Sequence, residues 1–326
     1  MKAAVRDRYG PPEVVKVEDL ELPVAYGDEV LVRVRAASIN RADLDGLYPR
    51  WQFTRLFLGL RRPRTRRLGL DVAGLVESIG PSVMRFQPGD HVFGDLFAFG
   101  QGAFAEYVSV RERALAAMPT GITFEDAATL PHSAVLALQG LRLRDGRTVQ
   151  PGGRVLVVGA SGNVGPFAVQ IAKSMGADVT GVCSTEKVEF VRSLGADRVV
   201  DYTKIDPTMT GERYDWILDV DAHQSLLSWR HALRPKGVYV ALGGSTAWLF
   251  QGLVLMAVIS ATVGNRMGLM LWWQPFKAED VETLKKLIAA GKVTPIIDRR
   301  FTLTQIVEAL RYVDEGRPRG KVVVTM

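Results

Sequence analysis

The sequence predicts an α/β protein of two domains, one rich in short strands and one built on a parallel sheet flanked by helices. Three observations carry this. The first third consists of strand-like stretches punctuated by Gly and Pro. The middle alternates apolar strands with helices. A glycine-rich turn joins the first of those strands to the first of those helices. At 326 residues the chain is long enough for two domains, and 47% hydrophobic with 23% charged residues is the composition of a globular chain rather than a disordered one.

In the first third, Glu29 to Ala37 alternates apolar with charged residues, as a half-buried strand should. Val72 to Ile79 is another strand, ended by Gly80-Pro81, and Pro88-Gly89-Asp90 turns the chain into His91-Val92-Phe93-Gly94. Gly102 to Val108 reads as a further strand. In the middle, strands are expected at Arg154–Val158, Asp178–Cys183, Arg198–Asp201, Trp216–Val220 and Gly237–Leu242. Helices are expected at Val164–Met175, Glu186–Leu194 and Ser225–Leu233, the first two stopped by Gly176 and Gly195. The end holds helices Ala278–Ala290 and Thr304–Val313 and a strand Lys321–Thr325.

Composition narrows the function. The single cysteine, Cys183, rules out an intramolecular disulfide and fits a reducing compartment, the cytoplasm. The apolar start is too short for a signal-peptide core. Trp248 to Trp273 is apolar but broken by Gln251, Gly252, Gly264, Asn265 and Arg266, so it reads as buried structure or a subunit interface rather than a membrane span. The net charge of +6 is concentrated in Arg50, Arg55, Arg61, Arg62, Arg64, Arg66 and Arg67, with no acid among them. The favoured reading is a flap with solvated arginines over a substrate cleft, drawing in anionic or large apolar acceptors. Contact with an anionic membrane surface is the alternative. Nucleic-acid binding is disfavoured, since no recognition module accompanies the basic stretch.

The most specific motif is Ala160-Ser161-Gly162-Asn163-Val164-Gly165, directly after the strand Val155–Val158. A dinucleotide pyrophosphate needs close backbone approach, which Gly162 permits. It also needs tight helix–strand packing, which Gly165 permits, and the unpaired N–H groups of a helix start. An NAD site usually ends its second strand on a carboxylate that bonds the ribose hydroxyls. Here that strand ends Gly181-Val182-Cys183-Ser184-Thr185. Ser184, Thr185 and Lys187 are suited instead to a 2′-phosphate, so NADPH is the expected cofactor.

These residues and their flanks resemble the medium-chain dehydrogenase/reductase superfamily, and within it the zinc-less quinone oxidoreductase group. The resemblance covers nearly the whole chain. It includes Gly69-Leu70-Asp71-Val72-Ala73-Gly74, Gly89-Asp90-x-Val92-x-Gly94, Gly102-x-Phe104-Ala105-Glu106-Tyr107, Gly159 to Gly165, Gly195-Ala196-Asp197 and Arg319-Gly320-Lys321-Val322-Val323. It implies a GroES-like β-rich domain from 1–122 and 266–326, with a Rossmann domain from 123–265 inserted, and a homodimer. It implies that Lys187 and Tyr202 bind the 2′-phosphate. It also implies that the chain around Asp219 and the backbone of Leu242, Gly243 and Gly244 lie beside the nicotinamide. Zinc-dependent relatives carry cysteine where Asn40 stands and histidine where Leu70 stands, so no metal is expected. Relatives usually have Thr after Leu130-Pro131, where this chain has His132-Ser133. They commonly have glycine after Asp219, where Asp221 is left without a role.

Without a metal, the simplest chemistry is hydride transfer to a small molecule that is already electrophilic, a quinone or an α,β-unsaturated carbonyl. Asn40, Asp43 and Tyr48 are the candidate catalytic residues. Asn40 is the amide donor to a carbonyl, or else a turn cap. Tyr48 is the proton donor, or else a packing residue. Asp43 is functional, or else paired with an arginine. The alternative function is a non-catalytic NADPH sensor or membrane-associated adaptor with the same fold.

Overall fold

The computed structural model describes residues 1–49, 55–244, 266–270 and 273–326, with backbone alone for Phe57, Leu58 and 266–269. Arg50, Ser245 and most of the apolar stretch Trp248–Trp273 lie outside the described residues. The chain forms two compact units. The first comprises Met1–Val135, Pro275–Ala289 and Pro295–Met326, and the second Leu136–Gln274 and Ala290–Thr294.

The first unit is β-rich. Strands β1 (Lys2–Val5) and β2 (Lys16–Asp19) pair as a separate antiparallel ribbon. The main sheet contains β3 (Glu29–Ile39), β4 (Asp71–Ile79), β5 (His91–Asp95), β6 (Tyr107–Arg111), β7 (Leu115–Ala117), β14 (Ile297–Thr302) and β15 (Lys321–Thr325). Its order is β14-β15-β3-β4-β5-β7, with β6 also paired to β3. Alternation in β3 buries Val30, Val32 and Val34 while exposing Arg33 and Arg35. Its last residues, Ala36 to Ile39, are buried throughout, because helices cover this end. These are α1 (Arg41–Leu47) and α3 (Phe124–Ala128), with α9 (Ile306–Asp314) packed on α1 and β15. Short α2 (Arg55–Leu58) and the longer α8 (Ala278–Ala289) complete the unit. Ile39, Leu44, Leu47, Phe104 and Leu310 are fully buried in one core, each contributing about 1.5–3 kcal/mol of transfer free energy. Gly69 has φ +99°, and a Cβ there would sit 2.6 Å from the Phe104 nitrogen, so only glycine permits this crossing.

Two expectations for this unit are corrected. Residues 102–106 are not a strand; β6 begins at Tyr107. Gly102 has φ +127°, and the N–H groups of Gly102 and Phe104 donate to Gly69 and Leu68 instead of to a ladder. The arginine stretch is not free of acids in space. Arg66 pairs with Asp7 at 2.7 Å and Glu18 at 2.9 Å, and its carbonyl accepts from the Arg6 nitrogen. Tyr9 Oη donates to the Gly59 carbonyl at 2.7 Å, pinning the turn before Arg61.

The second unit is a six-stranded parallel sheet ordered β10-β9-β8-β11-β12-β13. Its strands are β8 (Arg154–Val158), β9 (Asp178–Cys183), β10 (Arg198–Asp201), β11 (Tyr214–Asp219), β12 (Leu233–Ala241) and β13 (Arg266–Leu269). Numbered within the sheet this is 3-2-1-4-5-6, the Rossmann order. It reverses direction between β8 and β11, where open α/β sheets bind ligands at strand carboxyl ends. Helices α4 (Ser133–Gly140), α5 (Gly165–Ser174), α6 (Val188–Ser193) and α7 (Leu226–Ala232) connect or flank these strands. The domain limits at 122/123 and 265/266 are displaced. Helix α3 packs on β3 and β4, which keeps residues 123–135 with the first unit, and β13 pairs with β12, which keeps 266–274 with the second. Among the described residues no helix is long and apolar enough to cross a membrane.

Candidate active site

In the second unit, β8 ends at Val158 and the chain turns at Gly159, φ +75°. Ala160 N donates to the Val182 carbonyl at 3.0 Å, and Gly162 N to the Gly159 carbonyl at 3.1 Å. Ser161 is buried and Asn163 half-buried. Helix α5 starts at Gly165, with Val164 at its N-cap making no side-chain capping bond. A Cβ on Gly165 would lie 2.2 Å from the Gly159 oxygen and 2.5 Å from the Ala160 carbonyl carbon, so the turn closes only around glycine. A Cβ on Gly162 would meet no atom nearer than 3.6 Å, leaving room above the turn. This is a cradle with the shape and dipole that a pyrophosphate requires.

Beyond β9, Ser184 is half-buried and Thr185 opens a 3-10 turn containing Lys187. Sequence reasoning missed a carboxylate here. Asp201 ends the neighbouring strand, in register with Cys183. It accepts from Thr185 Oγ1 at 2.6 Å and Thr203 Oγ1 at 2.7 Å, and lies 3.3 Å from Lys204 Nζ. The Thr185 and Thr203 hydroxyls and backbone hold it down to about 2. The second strand itself ends without a carboxylate, but Asp201 of the neighbouring strand lies beside its tip and engages Thr185. Tyr202 is 57% exposed and Lys187 half-buried.

Asp219, at the end of β11, is buried. It accepts from Tyr239 Oη at 2.7 Å and Asp221 N at 3.2 Å, and burial pushes it up to about 6. Its carboxyl therefore serves the interior of the sheet. Asp221 pairs with His223 at 2.9 Å on the surface, which accounts for its charge. Leu242 N donates to the Asp219 carbonyl, and Gly244 bridges to Ala222, so Leu242, Gly243 and Gly244 lie beside the 219–222 turn.

The first unit holds a buried polar cluster at the junction of β3, β4, β15 and the start of α4. Asn40 N-caps α1: its backbone N donates to Asp43 Oδ2 at 2.8 Å. Its side chain does other work. Nδ2 donates to Asp71 Oδ2 at 2.8 Å, while Oδ1 accepts from Lys321 Nζ at 2.6 Å and Ser133 Oγ at 3.0 Å. Asp71 also accepts from Ser38 Oγ at 2.7 Å and His132 N at 2.9 Å, and lies 3.4 Å from Lys321 Nζ. His132 Nδ1 lies 2.9 Å from Asp95 Oδ2. Burial pushes Asp71 up and Lys321 down, and their mutual attraction opposes both shifts. Burial would push His132 down, but the charge and hydrogen bond of Asp95, with the charge of Asp71, hold it above its ordinary value. Burial pushes Asp43 up to about 7.

The sequence candidates thus separate. Asn40 and Asp43 are in the cluster, but Asn40 already donates to Asp71, and Asp43 is a buried helix cap. Tyr48 is elsewhere: its hydroxyl donates to Asp314, beside Arg41, and burial with that bond pushes it up to about 12. Asp71, Asp95, Ser133 and Lys321 were not assigned as site residues. Asp71 and Lys321 carried a signal, a charge heading an otherwise apolar strand, which demands a buried partner. Leu70 is fully buried, and among the described residues no group of three or more His, Cys, Asp or Glu is arranged to hold a metal ion.

Comparison with known proteins agrees with this architecture. The alcohol dehydrogenase GroES-like domain family matches residues 26–120, and the zinc-binding dehydrogenase family matches residues 194–324. The NAD(P)H oxidoreductase RTN4IP1, mitochondrial, of Mus musculus is 33% identical over 100% of this chain and 89% of its own length. The NADPH-dependent alkenal/one oxidoreductase, chloroplastic, of Arabidopsis thaliana is 30% identical over 99% of this chain and 79% of its own. The solved quinone oxidoreductase of Coxiella burnetii superposes with TM-score 0.88 at 27% identity, covering 100% of this chain and 99% of that one. The fold and turn define a nicotinamide-dependent oxidoreductase with a GroES-like and a Rossmann unit. The chain belongs to the medium-chain dehydrogenase/reductase superfamily, in its zinc-less quinone oxidoreductase-like group.

Proposed function

We propose that this oxidoreductase uses NADPH, works without zinc, and reduces a small acceptor that is already electrophilic, an α,β-unsaturated carbonyl or a quinone. The observation that carries the reading is the ammonium of Lys321 seated between Asn40 Oδ1, Ser133 Oγ and Asp71. A divalent zinc site needs thiolate, imidazole or carboxylate donors in a tetrahedral set. Here the positions that supply them in zinc enzymes are an amide bound on both sides and a buried leucine, and a cation already satisfies Asp71. These residues do not fit zinc.

The residues do fit a dinucleotide. The turn from Ala160 to Gly165 and the start of α5 would hold the pyrophosphate, Leu242 to Gly244 would offer backbone to the nicotinamide, and Ser184, Lys187 and Tyr202 would take the 2′-phosphate. Asp201 opposes a phosphate less than a bare carboxylate would, because Thr185, Thr203 and Lys204 occupy it. When bound, the reduced nicotinamide supplies a hydride. Relatives whose names specify NADPH and alkenal/one or quinone substrates support this choice of cofactor and acceptor. A cytoplasmic homodimer belongs to the same reading, and sedimentation velocity tests the dimer.

The dissociation constants of NADPH and NADH, measured by calorimetry, test the cofactor. NADPH should bind at least about tenfold tighter, and Lys187→Ala should weaken NADPH about tenfold or more with little effect on NADH, since only the 2′-phosphate meets that charge. Equal affinity for the two cofactors would overturn the assignment.

A further inference from the structure

We propose that the first unit carries a second binding site, a solvent-open pocket between β3, β6 and the loop after β5, and that it takes a small monocarboxylate with a short apolar body. The inference draws on neither the cofactor nor the acceptor assigned above.

The pocket follows from strand alternation. β6 buries Val108 and Val110 and turns Ser109 and Arg111 outward. Across the ladder Arg111 faces Glu29, at the start of β3. After β6 the chain makes a 3-10 turn, Glu112–Ala114, on which Arg113 is exposed. The loop after β5 brings in Phe99, half-buried against the unit's core. Glu29, Phe99, Ser109, Val110, Arg111 and Arg113 line a cavity of about 350 Å³. Small-molecule pockets run from about 300 Å³ upward, so the site takes a small ligand and not a dinucleotide. All these residues belong to the first unit.

The charges define the ligand. Arg113 is held over Phe99, its guanidinium carbon 5.0 Å from the ring centroid. Attraction to a ring face leaves guanidinium N–H donors available. The acids nearby are committed elsewhere. Glu112, which sits between the two arginines in sequence, is turned away, and its carboxylate accepts from the Met84 and Arg85 nitrogens at 3.1 Å each. Asp28 lies 3.9 Å from Arg111. Glu29 accepts from Ser109 Oγ at 3.1 Å and Tyr26 N at 3.2 Å. Among the described residues Arg113 is thus a positioned cation with no carboxylate partner. A planar carboxylate matches its fork of donors. Arg111, in a long and exposed ion pair, supplies a second guanidinium at the same mouth. Glu29 is a negative charge in the wall, and it opposes a doubly charged phosphate more than a single carboxylate. Val110 and Phe99 offer surface to the apolar body.

The test follows the backbone amide signals of the full-length, isotope-labelled protein by NMR at low ionic strength. The probes are phenylacetate, phenylacetamide and inorganic phosphate. Phenylacetate should bind with a Kd of about 1 mM and move the signals of Phe99, Ser109 and Arg113. Arg113→Gln should weaken it about tenfold, through loss of a charge-assisted hydrogen bond, and Arg111→Gln about threefold. Arg311→Gln removes a charge paired with Glu13 elsewhere on the unit and should leave the affinity unchanged. Phenylacetamide has the same shape without the charge, and it should bind at least about tenfold more weakly than phenylacetate, as should phosphate. The proposal is overturned if phenylacetate leaves the pocket signals in place, or if phenylacetamide binds as well as phenylacetate. It is equally overturned if phosphate binds as tightly, which would make the pocket a general anion patch, or if Arg311→Gln weakens binding as much as Arg113→Gln.

Discussion

Asp71 is the residue on which the first unit's polar interior turns. It gathers Ser38 and Asn40 from the end of β3, His132 from the start of α4 and Lys321 from β15. Lys321 is its buried counter-charge, with the two side chains 1% and 0% exposed. Removing one partner of such a pair leaves an uncompensated charge, so Lys321→Met should destabilise the protein by about 3–5 kcal/mol in urea unfolding. Arg66→Ala breaks two exposed ion pairs and should cost less than about 1 kcal/mol. Equal costs would mean that the cluster is wetter than its geometry implies. Little of this was legible beforehand. The charges of Asp71 and Lys321 stood out in apolar strands, but they lie 250 residues apart, and pairing at that distance is written in strand register rather than in local pattern. Tyr48 and Asn40 show the converse: each was a plausible donor by residue type, and each has its donor spent on a carboxylate that only the fold brings near.

At the scale of elements, the β8–turn–α5 unit was the most legible feature, because its signals are local. An apolar strand, a turn needing glycine and a helix start fall within a dozen consecutive residues. The strands Arg154–Val158, Asp178–Cys183, Arg198–Asp201 and Lys321–Thr325 run where the periodicity put them. Asp201 was missed because it ends a neighbouring strand, and its proximity to Thr185 depends on parallel pairing. Gly165 makes the turn testable. Its Cβ position is blocked by the Gly159 carbonyl, so Gly165→Val must push helix and strand apart. NADPH and NADH should both lose at least about tenfold in affinity, in contrast to the selective loss from Lys187→Ala. If Gly165→Val binds both cofactors as the wild type does, the turn is not the pyrophosphate cradle.

For the whole molecule, the division into a β-rich and a parallel-sheet unit followed from the change of rhythm along the chain. The limits did not, because helix α3 joins its unit through β3 and β4, far away in sequence, and β13 joins the other by pairing with β12. The chain's path through both units makes it an oxidoreductase by membership of its family. We propose that its polar cluster, with the Lys321 ammonium beside Asp71, stands where a metal would and leaves activation to the acceptor's own conjugation. The most direct test is NADPH oxidation by an enone after exhaustive chelation, with zinc content measured on the same sample. The account predicts undiminished turnover with zinc well below one per chain. Activity lost on chelation and restored by added zinc would contradict it.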